Sequence, residues 1–185
     1  FLFSKADAML YYTESMKVTD QSLAERIAYL TTRYQYDDWG ALMFDTLLMW
    51  LIPSKYFLNL VYLLSGAVSS VYLYRIGRHF MPDMYAYLAA LSYGTSSYMV
   101  FFHSSFLKES IFVFLVIAAL YHLYRFIYDE SRWALLHAAI YLLLTLFFRP
   151  AVTAMLASSI LVYYGYTQQR NAVALFLYLA AIGVL

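Results

Sequence analysis

The chain has 185 residues, of which 64% are hydrophobic and 12% charged, with a net charge of +1. A soluble domain is nearer half apolar and a quarter charged, so this composition points to lipid rather than water around much of the surface. The near-zero net charge offers no field for nucleic acid, and the absence of cysteine excludes disulfides, thiolate metal sites and cysteine nucleophiles.

Along the chain, Phe1-Leu2-Phe3 reads as the end of a membrane helix, and Leu185 falls inside an apolar run, so the sequence is expected to be an excerpt of a longer chain. Residues 4–40 are the polar part. Ser22-Leu23-Ala24-Glu25 has capping-box spacing and predicts a helix start. Leu23, Ile27, Leu30 and Tyr34 then share one face, with Arg26 and Arg33 off it, as in a helix lying along a membrane surface. The apolar run 41–52 ends at Pro53, is too short to span, and carries an acidic residue, Asp45. It suits a re-entrant or interfacial helix.

Membrane crossings are predicted at about 56–74, 85–102, 110–128, 133–148 and 151–166, with a sixth starting near 172 and running to 185. The first two are rich in small residues such as Ser65, Gly66, Ser69, Ala89, Ala90 and Gly94, which let helices approach closely in lipid. The predicted fold is therefore all-α. It is a polytopic transmembrane helix bundle (55–185) preceded by an extracytoplasmic loop bearing amphipathic juxtamembrane helices (1–54).

Orientation follows from the short loops. Arg75, Arg78, Arg125, Arg132 and Arg170 fall in alternate loops on one side, whereas the opposite loops hold only Lys108 and Arg149. The positive-inside rule makes the arginine-rich side cytoplasmic. The expected location is the cytoplasmic (inner) membrane, with the polar segment 4–55 extracytoplasmic. Arg75, Arg78, Arg125 and Arg132 then mark topology and meet anionic lipid heads.

This orientation gathers Asp7, Tyr11, Asp37, Asp38, His103, Lys108, Glu109 and Arg149 at one membrane boundary. Carboxylates there can act as general bases or hold a divalent metal. Lys and Arg can hold a phosphate, Lys as a point charge and Arg as a bidentate fork. Such a set suits a lipid-linked phosphate whose tail lies in the bilayer. Each residue also has a plainer role: Asp37 and Asp38 as helix caps, Lys108-Glu109 as a solvated snorkelling pair, and His122 and His137 as groups bonded within the bundle. Arg149, between two apolar runs, and Asp45 are ionisable residues near or within the membrane and so are functional candidates.

The order of Asp7-Ala8-Met9-Leu10-Tyr11-Tyr12, then Tyr36-Asp37-Asp38-Trp39-Gly40, two small-residue helices, and Phe106-Leu107-Lys108-Glu109-Ser110 resembles bacterial GT-C-type membrane glycosyltransferases, the dolichyl-phosphate-mannose-protein mannosyltransferase-like group. The resemblance implies transfer of a sugar from a polyprenyl-phosphate carrier to a glycan, lipid or protein acceptor on the outer face, in cell-surface glycan assembly. It implies Asp7 as the catalytic or metal-coordinating carboxylate, with Mg or Mn as the possible cation and Asp37 or Asp38 as a secondary acidic position. Lys108 and Arg149 would meet the donor phosphate, with His103 and Tyr11 as further substrate contacts. The family's frequent acidic residue at the second outer helix start is here the Lys108-Glu109 pair. Three other readings stay open: an O-antigen or exopolysaccharide polymerase relying on arginine, a lipid-linked glycan transporter, and a structural membrane subunit.

Overall fold

The computed structural model describes residues 12–17, 21–33, 36–104, 107–129 and 131–167. Asp7, Tyr11 and the expected last membrane segment at 172–185 lie outside the described residues, as do the side chains of Asp37 and Asp38. Regular structure among the described residues is helical throughout: residues 12–17, then α1 (Leu23–Arg33), α2 (Tyr36–Leu51), α3 (Lys55–Gly77), α4 (Asp83–Thr95), α5 (Ser97–Ser104), α6 (Lys108–Asp129), α7 (Arg132–Leu146) and α8 (Pro150–Thr167).

The capping box forms at α1. The Ser22 amide donates to Glu25 Oε2 at 2.9 Å, and the Glu25 amide reaches back to Ser22 Oγ at 3.4 Å. Hydrogen bonds from the Ser22 hydroxyl and amide hold the Glu25 carboxyl below the usual carboxylate range. Arg26 is buried, with its Nε donating to the Gln21 carbonyl at 2.8 Å, while Ile27 of the expected apolar stripe is exposed. Tyr29 packs against the core and donates to the buried Glu14 at 3.1 Å, while the side chains of Leu23, Leu30 and Tyr34 lie outside the described residues.

α2 starts earlier than the apolar run alone predicts. It takes Asp37 and Asp38 into its first turn, where the helix dipole favours acids. It stops at Leu51, two residues before Pro53, and Ser54 caps α3 by accepting from the Phe57 amide. The crossing expected at 85–102 is not one helix. Ser96 is extended (φ −61°, ψ 132°) and splits it into α4 and α5. The run Gly94-Thr95-Ser96-Ser97 is made of weak helix formers whose hydroxyls compete for backbone groups. The Ser96 hydroxyl accepts from the Met99 amide at 3.2 Å and so restarts the helix.

Two helices, α3 and α6, are long and apolar enough to cross a membrane by length and composition. The core helix of a soluble protein is mostly buried, but only 28% of the apolar window of α3 and 39% of that of α6 are buried. Leu60, Leu64, Val68 and Val71 of α3 face outward, as do Leu135, Leu136, Ile140 and Leu143 of α7. An apolar face of this extent suits lipid. α2, α7 and residues 150–160 of α8 are shorter apolar helices.

α6 lies between α3 and α7, and α4 covers the other side of α3. α3 and α6 run parallel, because Ser65 meets Ser110 while Arg75 meets Tyr121. α7 returns antiparallel to α6, with His122 stacked on His137 at 5.0 Å between ring centres. The buried Ala118, Ala119, Ala134 and Ala138 keep α6 and α7 close. A core of Ala41, Leu42, Leu58, Tyr62, Ile111, Leu115 and Phe148 ties α2, α3, α6 and the α7–α8 turn together.

Candidate functional site

The α7–α8 turn presents Arg149. Pro150 opens α8, a position where its missing amide costs nothing and its fixed φ is pre-set for the helix. The backbone of Arg149 is pinned on both sides. Its amide donates to the Thr145 carbonyl, and its carbonyl accepts from the Thr153 amide, each at 3.0 Å. The Thr153 hydroxyl also lies 2.9 Å from that carbonyl and 2.9 Å from the Thr145 hydroxyl, and both threonines are buried. The turn is thus rigid where the charge is carried.

The guanidinium reaches α6. Arg149 Nη2 donates to Glu109 Oε1 at 2.6 Å, across 40 residues of sequence, with the side chains 41% and 33% exposed. Glu109 sits in the first turn of α6, a favourable place for an acid, whereas Arg149 stands at the start of α8, where a cation opposes the helix dipole. The Arg149 guanidinium and the N-terminal turn of α6 thus act on one carboxylate. Lys108 itself is buried, with 8% of its surface exposed, rather than snorkelling into solvent.

His103, at the end of α5, completes the wall. Its ring packs against Gly66 of α3, where a Cβ would come within 2.6–2.8 Å of ring atoms, so only glycine leaves room. The Ser110 hydroxyl is hydrogen-bonded to His103 Nδ1 and lies 3.5 Å from the Ser65 hydroxyl, which in turn donates to the Tyr62 carbonyl at 2.7 Å. His103 Nε2 is buried and has no hydrogen-bond partner among the described residues. These groups enclose a pocket of about 290 Å³. Tyr98, Met99 and His103 line it from α5, Glu109, Ser110, Phe112 and Val113 from α6, and Arg149 and Val152 from the start of α8. The walls are mostly apolar. A second, mostly apolar cavity of about 410 Å³ runs between α3, α6 and α7, from Phe44 and Val61 to Tyr141 and Phe148.

The pocket is recessed. Ser65, level with the start of α6, stands about 15 Å along α3 from Lys55 at the helical rise. α2 is tied to the α7–α8 turn, because its Gly40 amide donates to the Phe147 carbonyl at 2.9 Å. The first turn of α2, which carries Asp37 and Asp38, is thereby held beside the turn that carries Arg149. Asp45 of α2 is fully buried. Its Oδ1 accepts from the Tyr62 hydroxyl at 2.8 Å, and its Oδ2 has no partner among the described residues. Burial pushes this carboxyl up from the ordinary value to about 7, against the smaller opposing effect of the Tyr62 hydrogen bond.

Of the residues read from the sequence, the structure brings His103 and Arg149 into one pocket, with Lys108 adjoining. Asp7 and Tyr11 lie outside the described residues. Glu109 gains a role the sequence hid, because its partner is 40 residues away. Among the described residues, no three His, Asp or Glu side chains lie together to hold a metal ion.

The pattern of one protein family, described as dolichyl-phosphate-mannose-protein mannosyltransferase, matches residues 46–185, about three quarters of the chain. The chain belongs to that family. It is a member of a family of membrane glycosyltransferases whose donors are, in general, sugars carried on a polyprenyl phosphate. The match takes in His103, Lys108, Glu109 and Arg149 but begins after Asp7, Asp37, Asp38 and Asp45. Comparison with curated proteins and with solved structures gives no match.

Proposed function

We propose that this mannosyltransferase-family protein moves a sugar from a polyprenyl-phosphate carrier to a hydroxyl acceptor at the extracytoplasmic face of the cytoplasmic membrane. The observation that carries the reading is the Arg149–Glu109 pair lining a mostly apolar pocket, inside the region matched to the family. Arg149 holds the carrier phosphate through its planar fork, with the start of α6 and Lys108 adding positive potential. The apolar wall of Met99, Phe112, Val113 and Val152 receives the first isoprene units. His103, which lines the pocket, is a further proposed substrate contact.

In the transfer, the acceptor oxygen bonds to the anomeric carbon as the bond from that carbon to the phosphate oxygen breaks. The electron pair stays on the phosphate, where Arg149 stabilises the developing charge. The acceptor proton passes to a carboxylate, the role proposed for Asp7, with Asp37 or Asp38 as a secondary acidic position. A divalent cation, Mg or Mn, would be held by Asp7 and would orient the donor. The arginine-rich ends of α3 and α6 face the cytoplasm, and the polypeptide crosses the membrane repeatedly as a polytopic bundle.

The test uses the full-length protein in membranes, with transfer of labelled sugar from a panel of polyprenyl-phosphate sugars. Arg149→Ala and Asp7→Asn are compared at equal protein levels. Loss of transfer in both supports the reading. Loss in Arg149→Ala with normal transfer in Asp7→Asn removes Asp7 from the chemistry and favours an arginine-dependent polymerase. No transfer by the unaltered protein across the panel overturns the reading.

A further inference from the structure

We infer that Glu109 is a built-in competitor for Arg149 that sets how long the carrier phosphate is held, an inference that rests on the donor reading above. Arg149 already has an anion: its Nη2 is 2.6 Å from Glu109 Oε1. The pair is partly enclosed by Met99, Phe112 and Val152 and stays part-exposed, at 41% and 33%, so water reaches both charges while they exchange partners. A phosphate that takes the Nη2 edge of the guanidinium displaces the Glu109 carboxylate, and the carboxylate can return to displace the phosphate.

The two states of the carrier differ in charge. Before transfer the phosphate is a diester with a single negative charge. When the bond to the anomeric carbon breaks, the electron pair stays on the phosphate oxygen, and the product is a monoester of about −1.5 to −2 charge near neutral pH. The product therefore binds a lone arginine more tightly than the substrate does, which would stall the enzyme after each transfer. A fixed carboxylate on the same arginine offsets this. Its repulsion grows with the charge on the phosphate, so it weakens product binding more than substrate binding. Glu109 is held for that task by the first turn of α6, and Arg149 by the Thr145 and Thr153 hydrogen bonds, so neither side chain need move far to exchange partners.

The test uses full-length protein in nanodiscs of zwitterionic lipid, titrated with polyprenyl monophosphate, for the unaltered protein, Glu109→Gln and Glu109→Asp. Glu109→Gln is expected to bind polyprenyl monophosphate roughly 5-fold more tightly, the fold-change worth about 1 kcal/mol for one part-exposed ion pair. It should also lower both kcat and KM for the donor, as slow product release requires. Glu109→Asp, which keeps the charge, should restore binding close to the unaltered value. Equal or weaker binding by Glu109→Gln overturns the competitor role while leaving the donor reading standing. Equal displacement of the probe by phosphatidylglycerol overturns the assignment to the carrier, because any anionic lipid head would then serve. If the unaltered protein does not bind polyprenyl monophosphate, both this inference and the donor reading fall.

Discussion

Asp45→Asn is the substitution whose effect the structure specifies most closely. Asp45 is completely buried on α2, bonded to Tyr62 through one oxygen only, and its carboxyl is pushed up to about 7. In an unfolded chain an aspartate titrates near 3.9. The folded form thus binds a proton across an interval where the unfolded form has lost it. Stability is highest at acid pH, falls as pH rises from about 4 to about 7, and is flat above that. Between about pH 5 and about pH 8 the unaltered protein loses roughly 2.5 kcal/mol from this group. Asparagine keeps the oxygen that accepts from Tyr62 and cannot ionise, but it buries an amide without a partner at a cost of roughly 1–3 kcal/mol. The variant is expected to be the less stable protein near pH 5. Near pH 8, where the unaltered protein carries a buried charge, it should match or exceed it. Thermal unfolding of the full-length protein in detergent, followed by tryptophan fluorescence at both pH values, measures the crossing. Parallel pH profiles for the two proteins would refute the reasoning, because Asp45 would then titrate alike in the folded and unfolded states.

Other expectations follow from single contacts. Gly66→Ala should push the His103 ring off α3 and cost about 1–3 kcal/mol by overpacking, lowering both the unfolding temperature and sugar transfer, because the clash is with the ring that walls the pocket. Gly40→Ala should detach α2 from the Phe147 carbonyl; protease accessibility of the α2 segment should rise and transfer fall, while binding of polyprenyl monophosphate at Arg149 persists. Arg149→Lys keeps the charge but not the fork, so donor affinity should fall about tenfold, in line with about 1.4 kcal/mol for a lost bidentate contact; affinity equal to that of the unaltered protein would mean that a point charge suffices there.

Much of the fold was legible because apolar runs and helix caps are local signals. Ser22 and Glu25 announced α1, Pro53 ended α2, and the long apolar runs at α3 and α6 were found within a few residues of their limits. The break at Ser96 was not anticipated, although Gly94-Thr95-Ser96-Ser97 carried the signal in weak helix formers. For the site, Arg149 and His103 stood out as ionisable groups bordering apolar runs, a pattern that lipid makes expensive and therefore informative. Glu109 did not stand out, because beside Lys108 it reads as half of a local charge pair. Nor could the sequence reveal that Asp45 answers to Tyr62, or that a glycine on α3 exists to seat a histidine from α5.

The sequence by itself determined the helical class, the lipid-facing composition and the membership in a family of membrane glycosyltransferases, since each depends on residue type and order along a short stretch. Only the tertiary structure decided which charges meet. The parallel pairing of α3 with α6 sets Ser65 against Ser110, and the turn before Pro150 swings Arg149 across 40 residues onto Glu109. Pairings of that range depend on how helices pack, and packing depends on shape complementarity that no single stretch of sequence contains.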